Sequence, residues 1–220
     1  MINSLYEPIV SPLLVTANVY DLMDSSKPIF TLSQMEKEGA KGDSSNYIFS
    51  LPNFPSASIT HFLKLQVFNA ANNASLADNF YWLSNRGDVL AWNESNFYRT
   101  PIQQYADFTL LQKLPPLKLV SSIRMTCYSP STLFQGAQQV RLLIRVENPS
   151  STFLAFFVRL RIVDVDSNED ILPVFFQDNF FSLLPKEVKT VQASYDTFQA
   201  KEKLVGNLIV ECYNNISGAK

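Results

Sequence analysis

Two stretches of this chain repeat one another. Phe62-Leu-Lys-Leu-Gln-Val-Phe-Asn69, followed by Asp78-Asn-Phe-Tyr81, returns in residue type and order as Phe157-Val-Arg-Leu-Arg-Ile-Val-Asp164, followed by Asp178-Asn-Phe-Phe181. The first members lie 95 residues apart and the second 100. In each copy apolar residues alternate with polar ones, so one face of an extended strand is apolar and the other wet. A displacement of about 100 residues is the length of one β-sandwich domain. The repeat therefore predicts two similar domains in tandem.

Composition fits that architecture. Hydrophobic residues make up 46% of the 220 and charged residues 17%, too apolar for a disordered chain, and no apolar run reaches the ~20 residues that cross a bilayer. The net charge of -2 provides no basic field for nucleic acid or anionic lipid. Neither nucleic acid nor membrane is expected as a partner. With 17 Phe and 9 Tyr against only 6 Gly, the chain suits paired strands. The expected fold is all-β: two tandem immunoglobulin-like β-sandwich domains, residues 1–114 with a linker and residues 115–220.

Local patterns along the chain predict individual elements. Val15 to Leu22 reads as a strand, Ser33 to Asn46 as a long exposed loop, and Tyr47 to Leu51 as a short strand broken by Pro52 and Pro55. Leu63, Leu65 and Val67 share one face of a half-buried strand, with Lys64 and Gln66 on the other. Ile102, Tyr105, Ala106, Leu110 and Leu114 fall at helical spacing before Pro115-Pro116, which predicts a turn or two of helix in the linker. In the second domain Val140, Leu142, Ile144 and Val146 face the core, while Arg141, Arg145 and Glu147 face water. Ile171 to Pro185 reads as an apolar strand, a polar turn at Gln177, Asp178 and Asn179, and a second apolar strand. The total is about seven strands, as an immunoglobulin-like domain requires.

By strand parity Cys127 shares a face with Ile123 and Met125, and Cys212 with Leu208 and Val210. Both thiols can point into one core, as free cysteines or as a disulfide. Triplets for N-glycosylation occur at Asn73, Asn93 and Asn215. The first residues lack the basic, apolar and small-residue pattern of a signal peptide.

No constellation for catalysis, metal or cofactor is expected. His61 and two separated cysteines do not make a zinc set, and His61 reads as an ordinary strand residue. Phosphate loops and recognisable nucleophile settings are missing from the sequence. Asp164, Asp166, Glu169 and Asp170 fall in a turn, and Glu147 and Glu187 on solvent faces. Asp178 and Asn179 are turn formers whose side chains bond to nearby backbone; the rival reading is substrate contact. The aromatic stretch of Trp82, Trp92, Phe97 and Tyr98 is the one feature suited to stacking on sugar rings. Trp92, beside Asn93 and Glu94, and Tyr98 are the candidate carbohydrate contacts, against packing on the linker or a neighbouring domain.

Ala155-Phe-Phe-Val-Arg-Leu-Arg-Ile-Val-Asp164 with Ile171 to Pro185 resembles the last β-sandwich domain of glycoside hydrolase family 2 enzymes, of the exo-β-D-glucosaminidase and plant endo-β-mannosidase type. Asp78-Asn-Phe-Tyr-Trp-Leu-Ser84, Val89-Leu-Ala-Trp92, Tyr98-Arg-Thr-Pro-Ile102 and Tyr105-Ala-Asp-Phe108 resemble the penultimate domain and linker of the exo-β-D-glucosaminidases. The resemblance implies that Trp82 is a core residue. It also implies that the first domain is short of N-terminal strands, since relatives place one or two strands where this chain has only Ile9 to Leu14. Family members carry two catalytic glutamates on a barrel of ~250 residues, and no barrel motif occurs here. The resemblance thus implies a non-catalytic accessory portion whose partner is the catalytic barrel of a parent glycosidase, with an oligo- or polysaccharide as a further partner. A secreted, lysosomal or vacuolar location follows if the chain is attached to a full-length enzyme. The alternatives are a free-standing carbohydrate-binding module and an immunoglobulin-like interaction module.

Overall fold

A computed structural model describes residues 1–54, 57–128, 138–197 and 206–215. The chain forms two compact units, Met1–Lys113 and Leu114–Lys220.

In the first unit the strands are β1 (Ile2–Asn3), β2 (Leu13–Asp21), β3 (Phe30–Glu36), β4 (Ser44–Ser45), β5 (Thr60–Asn69), β6 (Ala74–Ser84), β7 (Val89–Leu90) and β8 (Ile102–Gln104). The main sheet is antiparallel in the order β3-β2-β5-β6, and β1-β4 and β7-β8 form two small sheets. Alternation along β2 buries Leu13, Val15, Ala17 and Val19 on one face. Register sets Ala17 opposite Leu65 and Val19 opposite Leu63, and Phe49, Leu51 and Phe54 pack over this cluster. Removing that apolar surface from water supplies the drive for the sheet to hold together.

Several expectations change here. Ser33 to Glu36 belong to β3 rather than to a loop: an edge strand exposed to water on one side needs no continuous apolar face. Tyr47 to Leu51 form no strand; Phe49 and Leu51 act as core cover instead. At its start β5 is buried on both faces, with Phe62 and Lys64 as enclosed as Leu63, so it is not the half-buried strand its alternation predicts. His61 is an ordinary buried strand residue, its Nδ1 3.3 Å from Ser58 O and its ring edge-on to Phe54. The helix expected in the linker is confined to its end, just before Pro115-Pro116. Ile102 pairs with Leu90, and only Thr109–Lys113 winds into a 3-10 turn, started by Asp107 Oδ1 accepting from Thr109 N and Oγ1.

The second unit stacks two antiparallel sheets. Its strands are β9 (Val120–Tyr128), β10 (Gln138–Glu147), β11 (Ala155–Asp164), β12 (Phe175–Phe176), β13 (Phe181–Leu183), β14 (Val188–Thr197) and β15 (Gly206–Glu211). One sheet runs β12-β14-β10-β9 and the other β13-β11-β15. Val140, Leu142, Ile144 and Val146 point between them and meet Val158, Leu160, Ile162, Leu183 and Val191, all nearly solvent-free. The expected solvent positions Arg141 and Arg145 are exposed and Glu147 is partly so.

Ile171 to Pro185 contains the expected strand, turn and strand, and its two strands belong to different sheets. β12 pairs with β14 in one sheet and β13 with β11 in the other, so Gln177 to Phe180 carry the chain from sheet to sheet. The repeat nonetheless has a structural counterpart. Leu65 faces Asn79 across β5 and β6; Leu160 is matched by Asn179, whose Oδ1 accepts from Leu160 N at 2.8 Å and whose Nδ2 donates to Leu160 O at 3.0 Å. In the second unit a side chain thus performs the pairing that backbone performs in the first.

Ile123 and Met125 lie opposite Ile144 and Leu142 but remain 41% and 36% exposed, because β9 is an edge strand. Cys212 is a buried free thiol, which sets aside the disulfide reading, and the side chain of Cys127 lies outside the described residues.

Candidate functional site

The two candidate contacts share one loop. β7 and β8 form a hairpin whose connection, residues 91–101, is closed at its base by Ala91 N donating to Pro101 O at 2.9 Å. Glu94 N donates to Ala91 O and Ser95 N to Trp92 O, which winds Trp92–Glu94 into one 3-10 turn. At the tip Asn96 Oδ1 accepts from Tyr98 N at 2.9 Å and Arg99 N at 3.2 Å, and Asn96 N donates to Arg99 O. Ser95 Oγ and Thr100 Oγ1 meet across the loop at 2.8 Å. Backbone and short polar side chains thus fill the loop's interior, which leaves its aromatic rings nowhere to turn but outward.

Exposure follows from that closure: Trp92 is 68% exposed, Phe97 96% and Tyr98 91%. Trp92 joins Asn93, Glu94, Ile102 and Gln103 in a recess of about 640 Å³. Tyr98 is not among the recess-lining residues; its ring meets Phe97 edge-on, centroids 5.4 Å apart. A flat ring beside an amide and a carboxylate can stack on a pyranose face while accepting hydrogen bonds from its hydroxyl or ammonium groups. Ile102 and Gln103 reach this recess through the pairing of β8 with β7, which the sequence pattern does not show.

The remaining candidates resolve into structure. Trp82 is not a core residue: it stands on the edge strand β6 and is 40% exposed. Asp178 forms an ion pair with Lys189 at 2.6 Å, and Asn179 is spent on Leu160. Asp164 Oδ1 accepts from Asp166 N and Ser167 N, and these bonds hold its carboxyl below the usual range. Asp24 and Asp107 are lowered by their bonds from Ser26 and Thr109. At Asp21 burial works upward, but hydrogen bonds from Met23 and Ser58 outweigh it and the net direction is again down. A general acid for glycoside cleavage needs the opposite shift. Among the described residues no cluster of three or more metal-ligating side chains occurs.

Comparison with known proteins gives a consistent answer. The family described as the exo-β-D-glucosaminidase Ig-fold domain matches residues 97–215. The exo-β-D-glucosaminidase of Arthroderma benhamiae is 34% identical over 150 residues, covering 68% of this chain and 16% of its own length. That of Amycolatopsis orientalis is 28% identical over 193 residues, covering 87% of this chain and 18% of its own length. The crystal structure of the A. orientalis exo-chitosanase CsxA superposes on 97% of this chain with a TM-score of 0.76 at 25% identity, using 24% of the CsxA chain. The chain thus spans less than a fifth of these two curated relatives. Matched over more than half its length, the chain belongs to the exo-β-D-glucosaminidase Ig-fold domain family.

Proposed function

We propose that the chain is the non-catalytic accessory portion of a larger glycosidase of exo-β-D-glucosaminidase type, and that it buttresses a catalytic barrel contributed by another part of that enzyme. The observation that carries this reading is the family match combined with a span of only 16% of the A. benhamiae enzyme. In such an enzyme residues 1–114 form the penultimate sandwich and residues 115–220 the last one. The outward Phe97 and Tyr98 are suited to burial against a neighbouring domain, since rings this exposed recover a large apolar area on contact. The test is direct. Purified 1–220 should release no p-nitrophenol from p-nitrophenyl-β-D-glucosaminide or mannoside above a mock preparation; release above that background overturns the reading.

A second reading is favoured by the recess at Trp92. The carboxylate of Glu94 beside an exposed indole suits a sugar that carries an ammonium group, and the related CsxA has been solved in complex with p-nitrophenyl-β-D-glucosamine. On this reading the chain itself contacts saccharide through Trp92, with Tyr98 supplying an outer stacking surface. Retention on chitosan gels that weakens in Trp92→Ala supports it, and equal migration of the two proteins removes it.

A further inference from the structure

The outer face of the β12-β14-β10-β9 sheet carries a second recess, of about 590 Å³, and strand register explains its shape. Ser194 on β14 stands between Phe175 on β12 and Arg141 on β10. Two residues away on β14, Gln192 lies opposite Leu143, and on its other side Gln177 N donates to Gln192 O at 2.8 Å. A short serine between longer side chains makes a trough in an otherwise flat face. Four strands about 4.8 Å apart make that face about 14 Å across, the scale of several linked rings rather than of a single small ion.

Charge is a poor handle on this face. Arg141 Nε–H donates to Gln139 Oε1 at 2.9 Å, and Asp196 stands diagonal to Arg141 on the same side of the sheet, so the two charges offset one another. Arg145, farther along β10, pairs with Glu147 at 2.8 Å. Among the described residues lining the recess there is no carboxylate to receive an ammonium group. What the recess does present is an apolar platform with neutral polar groups beside it. The ring of Phe175 is 65% exposed, and the amides of Gln177 and Gln192 and the hydroxyl of Ser194 border it. An amide both donates and accepts, as does every hydroxyl of a sugar, whereas a carboxylate or ammonium ligand uses only half of that capacity. An exposed aromatic ring, in turn, matches the C–H face of a pyranose.

We propose that this face binds an uncharged oligosaccharide, a chain of pyranose rings without carboxylate or free amino groups, with one ring stacked on Phe175 and its hydroxyls bonded by Gln177 and Gln192. The site stands on the second unit alone and shares no residue with the recess at Trp92, whose Glu94 suits a sugar of a different class. It is a surface for holding a neutral polymer, and it does not depend on the chain belonging to a larger enzyme.

Affinity electrophoresis of the whole 220-residue chain tests it, with galactomannan, xyloglucan and glycol chitin as uncharged probes and polygalacturonate and glycol chitosan as charged ones. The gels are read at high salt, where the chain's net charge of -2 no longer draws it to a cationic polymer. At least one uncharged probe is expected to retard the chain, and to do so equally at low salt. Phe175→Ala should weaken that retardation about tenfold and Phe175→Trp should preserve it, as stacking on the ring predicts. Gln192→Ala, at a second exposed position, should weaken it about threefold through a lost hydrogen bond, and Trp92→Ala should leave it unchanged. Far-UV circular dichroism checks that each variant is folded. No retardation by any uncharged probe, equal retardation by a charged probe at high salt, retardation indifferent to both Phe175→Ala and Gln192→Ala, or its loss in Trp92→Ala each overturns the proposal.

Discussion

Cys212 shows how one side chain reports on packing. Its thiol is free and 8% exposed, and burial pushes its pKa up to about 11, against the smaller opposing pull of the Asn214 backbone N–H. An unfolded thiol ionises near pH 8.5. Below that value both states are neutral and the group contributes nothing to pH dependence. Between about 8.5 and about 11 the unfolded chain releases the proton while the folded one retains it, so stability falls as pH rises; above that range both ionise and the loss levels off. By about pH 10 the loss should amount to about 1–2 kcal/mol once solvent screening is allowed for. Urea denaturation of the parent protein and Cys212→Ala between pH 7 and 10 checks it, since the tyrosines and lysines that also titrate there are common to both. A difference between the two that stays flat with pH would count against a buried thiol.

At the scale of elements, asparagine side chains join strands that backbone pairing leaves apart. Asn148, fully buried after β10, donates to Phe153 O at 2.8 Å, Leu183 O at 3.0 Å and Leu184 O at 3.2 Å, and accepts from Ser150 N. It fastens the end of β10 to the turn before β11 and to the end of β13, which belong to the other sheet. Asn148→Ala leaves the buried Leu183 carbonyl short of a donor and the partly buried Phe153 and Leu184 carbonyls with one fewer, and should cost about 3 kcal/mol, read as a lowered urea midpoint. Asn148→Asp, which replaces the donor with a charge facing carbonyl oxygens, should cost more at neutral pH than the alanine variant does. This role was not legible in the sequence, where Asn148-Pro-Ser-Ser151 reads only as a turn. The strands around it were legible, because Val140, Leu142, Ile144 and Val146 each face one side and a period of two has no other explanation. What misled were short-range signals without a tertiary partner. Ile102 to Leu114 has helical spacing, yet pairing with β7 claims its first residues. Phe49 and Leu51 look like strand residues but cover a sheet without joining it. The Trp92 loop was legible as an exposed aromatic stretch, because Trp92, Phe97 and Tyr98 crowd into one short polar segment.

For the whole molecule, the two units differ in how completely each encloses a core. The second closes two sheets over a continuous cluster that includes Val140, Ile144, Val158, Leu160, Leu183 and Val191. In the first, Ala17, Val19 and Leu63 form a cluster on the main sheet that loop residues Phe49, Leu51 and Phe54 cover. Apolar area removed from water dominates the stability of domains this small, so the unit with two facing sheets should persist without its neighbour. Residues 114–220 expressed alone should therefore unfold in one cooperative urea transition. Residues 1–113 alone should show a midpoint well below it or none. Both tryptophans, Trp82 and Trp92, belong to the first unit, so their fluorescence in the full chain isolates that unit's transition from the far-UV signal of both. Coincident fluorescence and far-UV transitions in the full chain, together with a 114–220 piece that fails to fold, would mean that neither core is sufficient and that the pair is the unit of stability.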